Sequence, residues 1–280
     1  MFWWFHLAFK PRIATMERTT VGSLLRSTQA LCLQLCQKQT LDYGIAYFSE
    51  RFAALPDANQ FREVLIDDPA RISDAFAQAQ AWFAQRNLAC HRWSPAGGQS
   101  DEALAMFLAS RGYRPRPLTA MILADWRELP PAPDVRVVPA RALREMLRRS
   151  YLDDDTPPTA KARELLAESY NERMDDPQLD LFVATIDRRP AGRVALHQVG
   201  DIARIVDLTV LPAFVDRGVE YALLGHALAL AKRLTLPSIL AQVAENATTH
   251  RRRLTDAGFV EDGRIVEFER STPFETVAPQ

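Results

Sequence analysis

The sequence predicts an α/β chain of the α+β type, arranged as two tandem units. Three observations carry this. First, Leu129-Pro-Pro-Ala-Pro133 puts three prolines in five residues, a stiff extended segment that neither a helix nor a central strand tolerates. Second, short strand-like runs alternate with amphipathic helices on both sides of it. Third, a spacing recurs: Asn87 to Gly112 is 25 residues, Arg233 to Gly258 is 25, and the two copies stand 146 apart. That period exceeds those of solenoid repeats and reads as a tandem duplication. The expected divisions are an N-terminal extension at 1–20, a first unit at 21–128, a linker at 129–134 and a second unit at 135–280.

The second unit reads strand, two helices, three strands, helix, strand, helix, strand. Val135–Val138 is a short strand. Arg141–Tyr151 and Thr159–Met174 are helical, broken by Pro157-Pro158. Asp180–Ile186 and Arg193–Gln198 form a hairpin around the turn chemistry of Asp187-Arg-Arg-Pro-Ala-Gly192. Ile202–Val210 follows as a strand. Val219, Leu223, Ala227, Leu230 and Leu234 make the apolar stripe of the next helix. Ser238–Val243 is a strand, Ala247–Ala257 a helix stopped by Gly258, and Arg264–Glu269 the last strand. In the first unit Ile72, Phe76, Ala79 and Phe83 form a helical stripe. Leu88–Trp93 is a strand, Ser100–Ser110 a helix ending at Gly112, and Leu118–Ala124 a strand.

Composition narrows the function. The 280 residues carry 34 Lys+Arg against 35 Asp+Glu, a net charge of −1, which argues against an electrostatically driven nucleic-acid partner. Apolar residues make up 48%, which excludes intrinsic disorder. The apolar run Met1–Phe9 is far shorter than the roughly 20 residues a bilayer span needs. It also lacks a basic n-region and a cleavage site, so residues 1–15 read as an upstream extension and no integral membrane segment is expected. Cys32, Cys36 and Cys90 are too few and too irregular for a disulfide framework or a metal site; they read as small buried apolar residues, and a reducing cytoplasm fits.

The most informative stretch is the strand-loop-helix junction from Val210 to Leu224. A glycine, Gly218, precedes the helix, whose first N–H groups and positive dipole end can hold a phosphate. A lone glycine before a helix is a weak signal by itself. The order of elements, the Arg-Pro-Ala-Gly hairpin, the Val-x-Pro strand ending and Ala257-Gly-Phe259 resemble the GNAT superfamily of N-acetyltransferases over residues 135–270. Residues 40–125 resemble a degenerate second copy.

The resemblance implies a mixed, mostly antiparallel central sheet flanked by helices. It also implies acetyl-CoA, or another acyl-CoA, as co-substrate, no metal, and an amine acceptor on a small molecule or protein. The family's pyrophosphate loop, Gln/Arg-x-x-Gly-x-Gly/Ala, aligns with Val215, Asp216, Arg217, Gly218, Val219 and Glu220. Only the central glycine matches; Val215 replaces a polar residue, and Glu220 puts a carboxylate where phosphate would come close. Backbone groups around Leu208 and Val210 would face the thioester. Asp207 is the candidate base, with a strand salt bridge as its structural alternative. Asn246 is a candidate CoA contact or a cap for the helix at Ala247. The family's thiolate-protonating tyrosine is replaced by Leu254.

In the first unit Ile72 falls where Gly218 sits, and Asp67-Asp68-Pro69 puts negative charge at the helix start, so no CoA site is expected there. Two other functions stay open on the sequence: an inactive CoA-binding or structural module, and an aminoacyl-tRNA-dependent transferase, which the absent basic charge disfavours.

Overall fold

A computed structural model describes residues 19–156 and 159–270; the extension expected at 1–15 lies outside them. Helix α1 (Thr20–Leu33) leads to strands β1 (Gln37–Leu41), β2 (Gly44–Phe48) and β3 (Gln60–Val64). Then come α2 (Ile72–Ala84), β4 (Arg92–Pro95), α3 (Glu102–Ser110) and β5 (Tyr113–Leu123). The second half holds β6 (Arg136–Pro139), α4 (Arg144–Leu152), α5 (Ala160–Arg173), β7 (Leu179–Ile186), β8 (Arg189–Val199) and β9 (Ile202–Val210). It closes with α6 (Val219–Arg233), β10 (Ser238–Ala244), α7 (Thr248–Asp256) and β11 (Phe259–Arg270).

The eleven strands among the described residues join one sheet in the order β1-β2-β3-β4-β11-β5-β10-β9-β8-β7-β6. It is mixed and mostly antiparallel; only β3–β4 and β9–β10 run parallel. The centre is an exchange. β5, from the first half, lies between β10 and β11, while β11 lies between β4 and β5. Their shared register runs from Phe259↔Leu123 to Arg270↔Tyr113, with one slip between Glu261 and Arg264.

Local chemistry explains most boundaries. Thr19, Asp101 and Thr159 cap α1, α3 and α5 by accepting from Gly22, Leu104 and Ala162 N–H groups. The β7–β8 turn, Asp187-Arg188, has φ of 50° and 60°, the left-handed pair that suits a tight hairpin.

Several boundaries differ from the sequence pattern. The strand expected at Leu88–Trp93 is Arg92–Pro95. Ahead of it, His91 N–H donates to Asn59 O and Cys90 O accepts from the Tyr113 hydroxyl, outside any ladder. β5 starts at Tyr113, not Leu118, despite Pro115 and Pro117. The Pro117 carbonyl faces Glu245 N–H beyond the end of β10, so the missing proline N–H costs no ladder bond there. β11 likewise begins at Phe259. Cys36 lies past the end of α1, but all three cysteines are buried free thiols, and burial pushes Cys32 up to about 11. The three strands at 37–64 carry no clear period in the sequence.

Helices cover both faces. α6 and α7 pack on one, where Leu223, Leu224, Leu228 and Leu254 are fully buried with Phe182 and Leu196. Each such leucine contributes roughly 1.5–3 kcal/mol. On the opposite face α4 and α5 cover β7 and β8, and α1 lies across the sheet centre against Leu118, Ile202, Leu240 and Ile265. No helix among the described residues is long and apolar enough to cross a membrane.

Candidate active site

The site begins where two parallel strands part. β9 and β10 pair from Ile202↔Ser238 to Ile205↔Ala241; beyond that β9 runs on to Val210 and β10 to Ala244 without pairing each other. A bulge marks the divergence. Ala195 pairs with Val206 and Arg193 with Thr209, so Asp207 and Leu208 together oppose one residue of β8, and Asp207 adopts φ 49°.

A buried ionic network pins that strained residue. Asp207 Oδ2 accepts from the Tyr151 hydroxyl at 2.5 Å and from Arg193 Nε at 2.9 Å. Arg193 also donates to Asp154 Oδ2 at 2.7 Å and to Ser150 O at 2.8 Å, and its guanidinium lies 3.9 Å from the Tyr151 ring centre. Asp207 Oδ1 accepts from the Thr209 hydroxyl at 3.3 Å. Burial raises the Asp154 carboxyl, but the bond and charge of Arg193 outweigh it and leave the group below the ordinary carboxylate range. The salt-bridge alternative for Asp207 is therefore present, with one oxygen committed and the other facing a weaker partner.

Asp207 and Leu208 line a cavity of about 360 Å³ under α1 and α5, bounded also by Leu31, Tyr170, Arg204 and His250. The loop residues lie apart from it. Val210 and Val215–Glu220 line a second hollow, closed on its far side by Pro130–Asp134. Gly218 has φ 73°, the left-handed conformation that glycine adopts without strain, and caps α6 with no side chain. The first N–H groups of α6 have no intrahelical acceptor, so the backbone fits a pyrophosphate.

The surroundings narrow that fit. A Cβ at Gly218 would stand 3.0 Å from Ala132 of the linker. Arg217 ion-pairs with Asp134 at 3.7 Å, while Asp216 is exposed with φ 66°. Glu220 Oε1 meets His250 Nδ1 at 2.7 Å and its Oε2 lies 3.7 Å from Arg253. Glu220 belongs to the hollow and His250 to the cavity, so this pair stands between them.

Other expected residues fall elsewhere. Asn246 is exposed, lines neither space, and does not cap α7: Ala247 holds the N-cap position without a side-chain bond. Leu254 is fully buried in apolar core, so that position offers no acid. His226 packs edge-on to Phe182, and His91 bonds Ala53 O. His197 meets Ser27 at 2.9 Å, and burial, with Arg204 nearby, lowers it to about 4. No cluster among the described residues could hold a metal ion. Sequence pattern missed Arg204, Arg173 and Tyr170 in the cavity wall; a charged residue at an inward position of a predicted strand, Arg204, was the available signal.

The first half is built differently at the matching place. Asp68 Oδ1 accepts from Ala70 N–H, Pro69–Arg71 form a tight turn, and Ile72 is buried at the start of α2.

Comparison with known proteins agrees with this architecture. Residues 140–259 match the acetyltransferase (GNAT) family model. The chain carries a GNAT domain. Acyl transfer with acetyl-CoA is the chemistry of that family. The whole-chain fold resembles a GCN5-related N-acetyltransferase from Kribbella flavida, with TM-score 0.61 and 12% identity, covering 91% of this chain and 96% of that one. A conserved protein of unknown function from Staphylococcus epidermidis gives TM-score 0.66 at 14% identity, covering 85% and 94%. A GCN5-related N-acetyltransferase from Sphaerobacter thermophilus gives 0.54 at 17%, covering 83% and 82%. At these identities the likeness is one of fold. The chain also matches phosphoribosyl isomerase A of Mycobacterium leprae, 39% identical over 70 residues, and of Mycobacterium avium, 44% over 69. Each match spans 25% of this chain and 27% of the relative, so the chain covers about a quarter of those proteins' length.

Proposed function

We propose that this protein is an N-acyltransferase that moves an acetyl group from acetyl-CoA to the amine of an acceptor bound beneath α1. The parting of β9 and β10 beside a polar cavity carries this reading. Backbone N–H groups from Gly218 to Glu220 would hold the pyrophosphate, with Val215, Asp216 and Arg217 shaping the turn. The unpaired edge at Leu208 and Val210 would receive the thioester arm. Acetyl-CoA supplies the activated acyl group; the chain supplies position and a proton acceptor.

Asp207 takes the acceptor's ammonium proton through Oδ1, directly or through water, while Arg193 and Tyr151 fix the other oxygen. The amine nitrogen then forms the N–C bond as the C–S bond breaks. With Leu254 apolar, the thiolate takes its proton from solvent, tolerable for a thiol of pKa about 8.5. The 146-residue recurrence supports reading the two halves as copies, of which the first has no phosphate-binding helix start.

An inactive CoA-responsive module is the second reading. The Glu220–His250 bond and Ala132 against Gly218 favour it. Calorimetry with acetyl-CoA, followed by thiol release with an amine panel, tests both. Binding with turnover supports the transferase; binding without turnover supports the module; no binding at millimolar acetyl-CoA defeats both.

A further inference from the structure

The cavity wall carries guanidinium groups that no carboxylate among the described residues pairs directly. Around it, Arg92 and Arg116 ion-pair with Asp57, Glu267 and Glu269. Arg204 and Arg173 are different: neither has a carboxylate within 4 Å among the described residues. Arg204 donates to the Thr28 hydroxyl at 2.6 Å and to Gln242 Oε1 at 2.9 Å, both neutral, and its Nε is buried without a partner. Arg173 is 9% exposed, donates Nε to Ser169 O at 3.3 Å and lies 3.9 Å from the Tyr170 ring centre. Both line the cavity.

Burying a guanidinium costs several kcal/mol unless an anion compensates it. Burial outweighs the more distant Glu267 carboxylate and lowers Arg204 to about 10. Two such groups facing one enclosed space make that space an anion site. The bulged end of the same cavity is opposite in sign, because one guanidinium, Arg193, serves two carboxylates, Asp154 and Asp207. The cavity is thus polarised along β9, from Arg204 to Asp207, about 10 Å at roughly 3.3 Å per residue. Leu31, Leu118 and Leu166 add apolar wall to the same cavity.

We infer that the acceptor is a small amino carboxylic acid, its carboxylate held by Arg204 and Arg173 and its amine directed to Asp207 and Leu208. This rests on the acyltransferase reading for the fate of the amine. The carboxylate site itself does not need it. Guanidinium binds carboxylate as a planar fork, which lysine does not reproduce.

The test is acceptor binding to the full chain without acetyl-CoA. Glycine, leucine, phenylalanine, glutamate and 4-aminobutyrate are each titrated calorimetrically beside the matching carboxamide. At least one acid is expected to bind tenfold or more tighter than its amide. Arg204→Met and Arg173→Met should each erase that preference, and Arg204→Lys should restore only part of it. Urea midpoints and circular dichroism identify any variant that has not folded, and Arg173→Met keeps the test open should Arg204→Met fail. Equal binding of acid and amide, no binding of any acid at millimolar concentration, or a preference that survives in both folded Met variants overturns the assignment. Where turnover is found, the variants should raise KM for the acid far more than they lower kcat. Absent turnover with an intact acid preference would overturn the acyltransferase reading alone.

Discussion

Each half of the molecule has a parallel strand pair followed by a helix start, and the two finish differently. In the first half β3 stays paired to β4 from Gln60↔Arg92 to Val64↔Pro95, although Glu63 is left-handed at φ 55°. In the second half β9 and β10 pair only from Ile202↔Ser238 to Ile205↔Ala241 and then run on apart, to Val210 and Ala244, with Asp207 left-handed at φ 49°. One half ends both strands at their last pair and fills the next helix start with Asp68, Pro69 and buried Ile72. The other opens its strands and leaves glycine there. A likeness of framework is not a likeness of site: the proposed site needs both strands that run on apart and a bare helix start, and among the described residues only the second half has both.

Breaking the second half's bulge should have the largest effect. Arg193→Met leaves Asp154 and Asp207 buried without their cation and should cost about 3–5 kcal/mol in urea unfolding at neutral pH. Uncompensated buried carboxylates titrate above their unfolded values, so stability is lost as pH rises; the deficit should shrink toward pH 4. Tyr47, 146 residues earlier, donates only to Glu63 at 3.2 Å, and Tyr47→Phe should cost about 1 kcal/mol.

The matching helix stops sharpen the comparison. Gly112 and Gly258 both have positive φ, 84° and 102°. A Cβ at Gly112 meets nothing within 4 Å, so Gly112→Ala should cost about 1–2 kcal/mol. At Gly258 it would fall 1.5 Å from Asp125 O, so Gly258→Ala must also move the chain entering the linker and should cost about 3 kcal/mol or more by the same measurement.

His197 gives a pH signature. Its folded value near 4 lies below the ordinary 6.5, so it contributes stability above pH 6.5 that is lost as pH falls toward 4, about 3 kcal/mol in all. His197→Gln should flatten unfolding free energy across that window. Arg51→Gln, at the counterpart position and 59% exposed, should leave the slope unchanged.

The smallest effect concerns the loop. Glu220→Gln removes the negative charge at the start of α6 and weakens the bridge to α7. Acetyl-CoA should bind about tenfold tighter by calorimetry, near 1.4 kcal/mol; unchanged or weaker binding would show that the carboxylate does not oppose the ligand.

Sequence carried the local features well. The 3.6-residue stripes of α2 and α6, Pro157-Pro158 between α4 and α5, and the glycine stops at Gly112 and Gly258 are short-range signals, and the elements follow them, except that Leu234 of the α6 stripe lies at the helix C-cap and is exposed. The exchange of β5 and β11 was hidden because each reads as the last strand of its own half, and pairing 136 to 157 residues apart leaves no local mark. The cavity was hidden for the same reason: Arg204 and Arg173 come from a strand and a helix that only the tertiary fold brings to one space. Asp207 stood out as a lone acid on a strand, but its bond to Arg193 depends on a bulge that alternation cannot foretell. Gly218 was visible; Ala132 lying against it was not.

A crystal structure with acetyl-CoA tests the central claim most directly. One molecule per chain is expected, its pyrophosphate on the backbone N–H groups from Gly218 to Glu220 and its thioester between the parted ends of β9 and β10. Acetyl-CoA at the Asp67–Ile72 turn, or none at millimolar concentration, would contradict it.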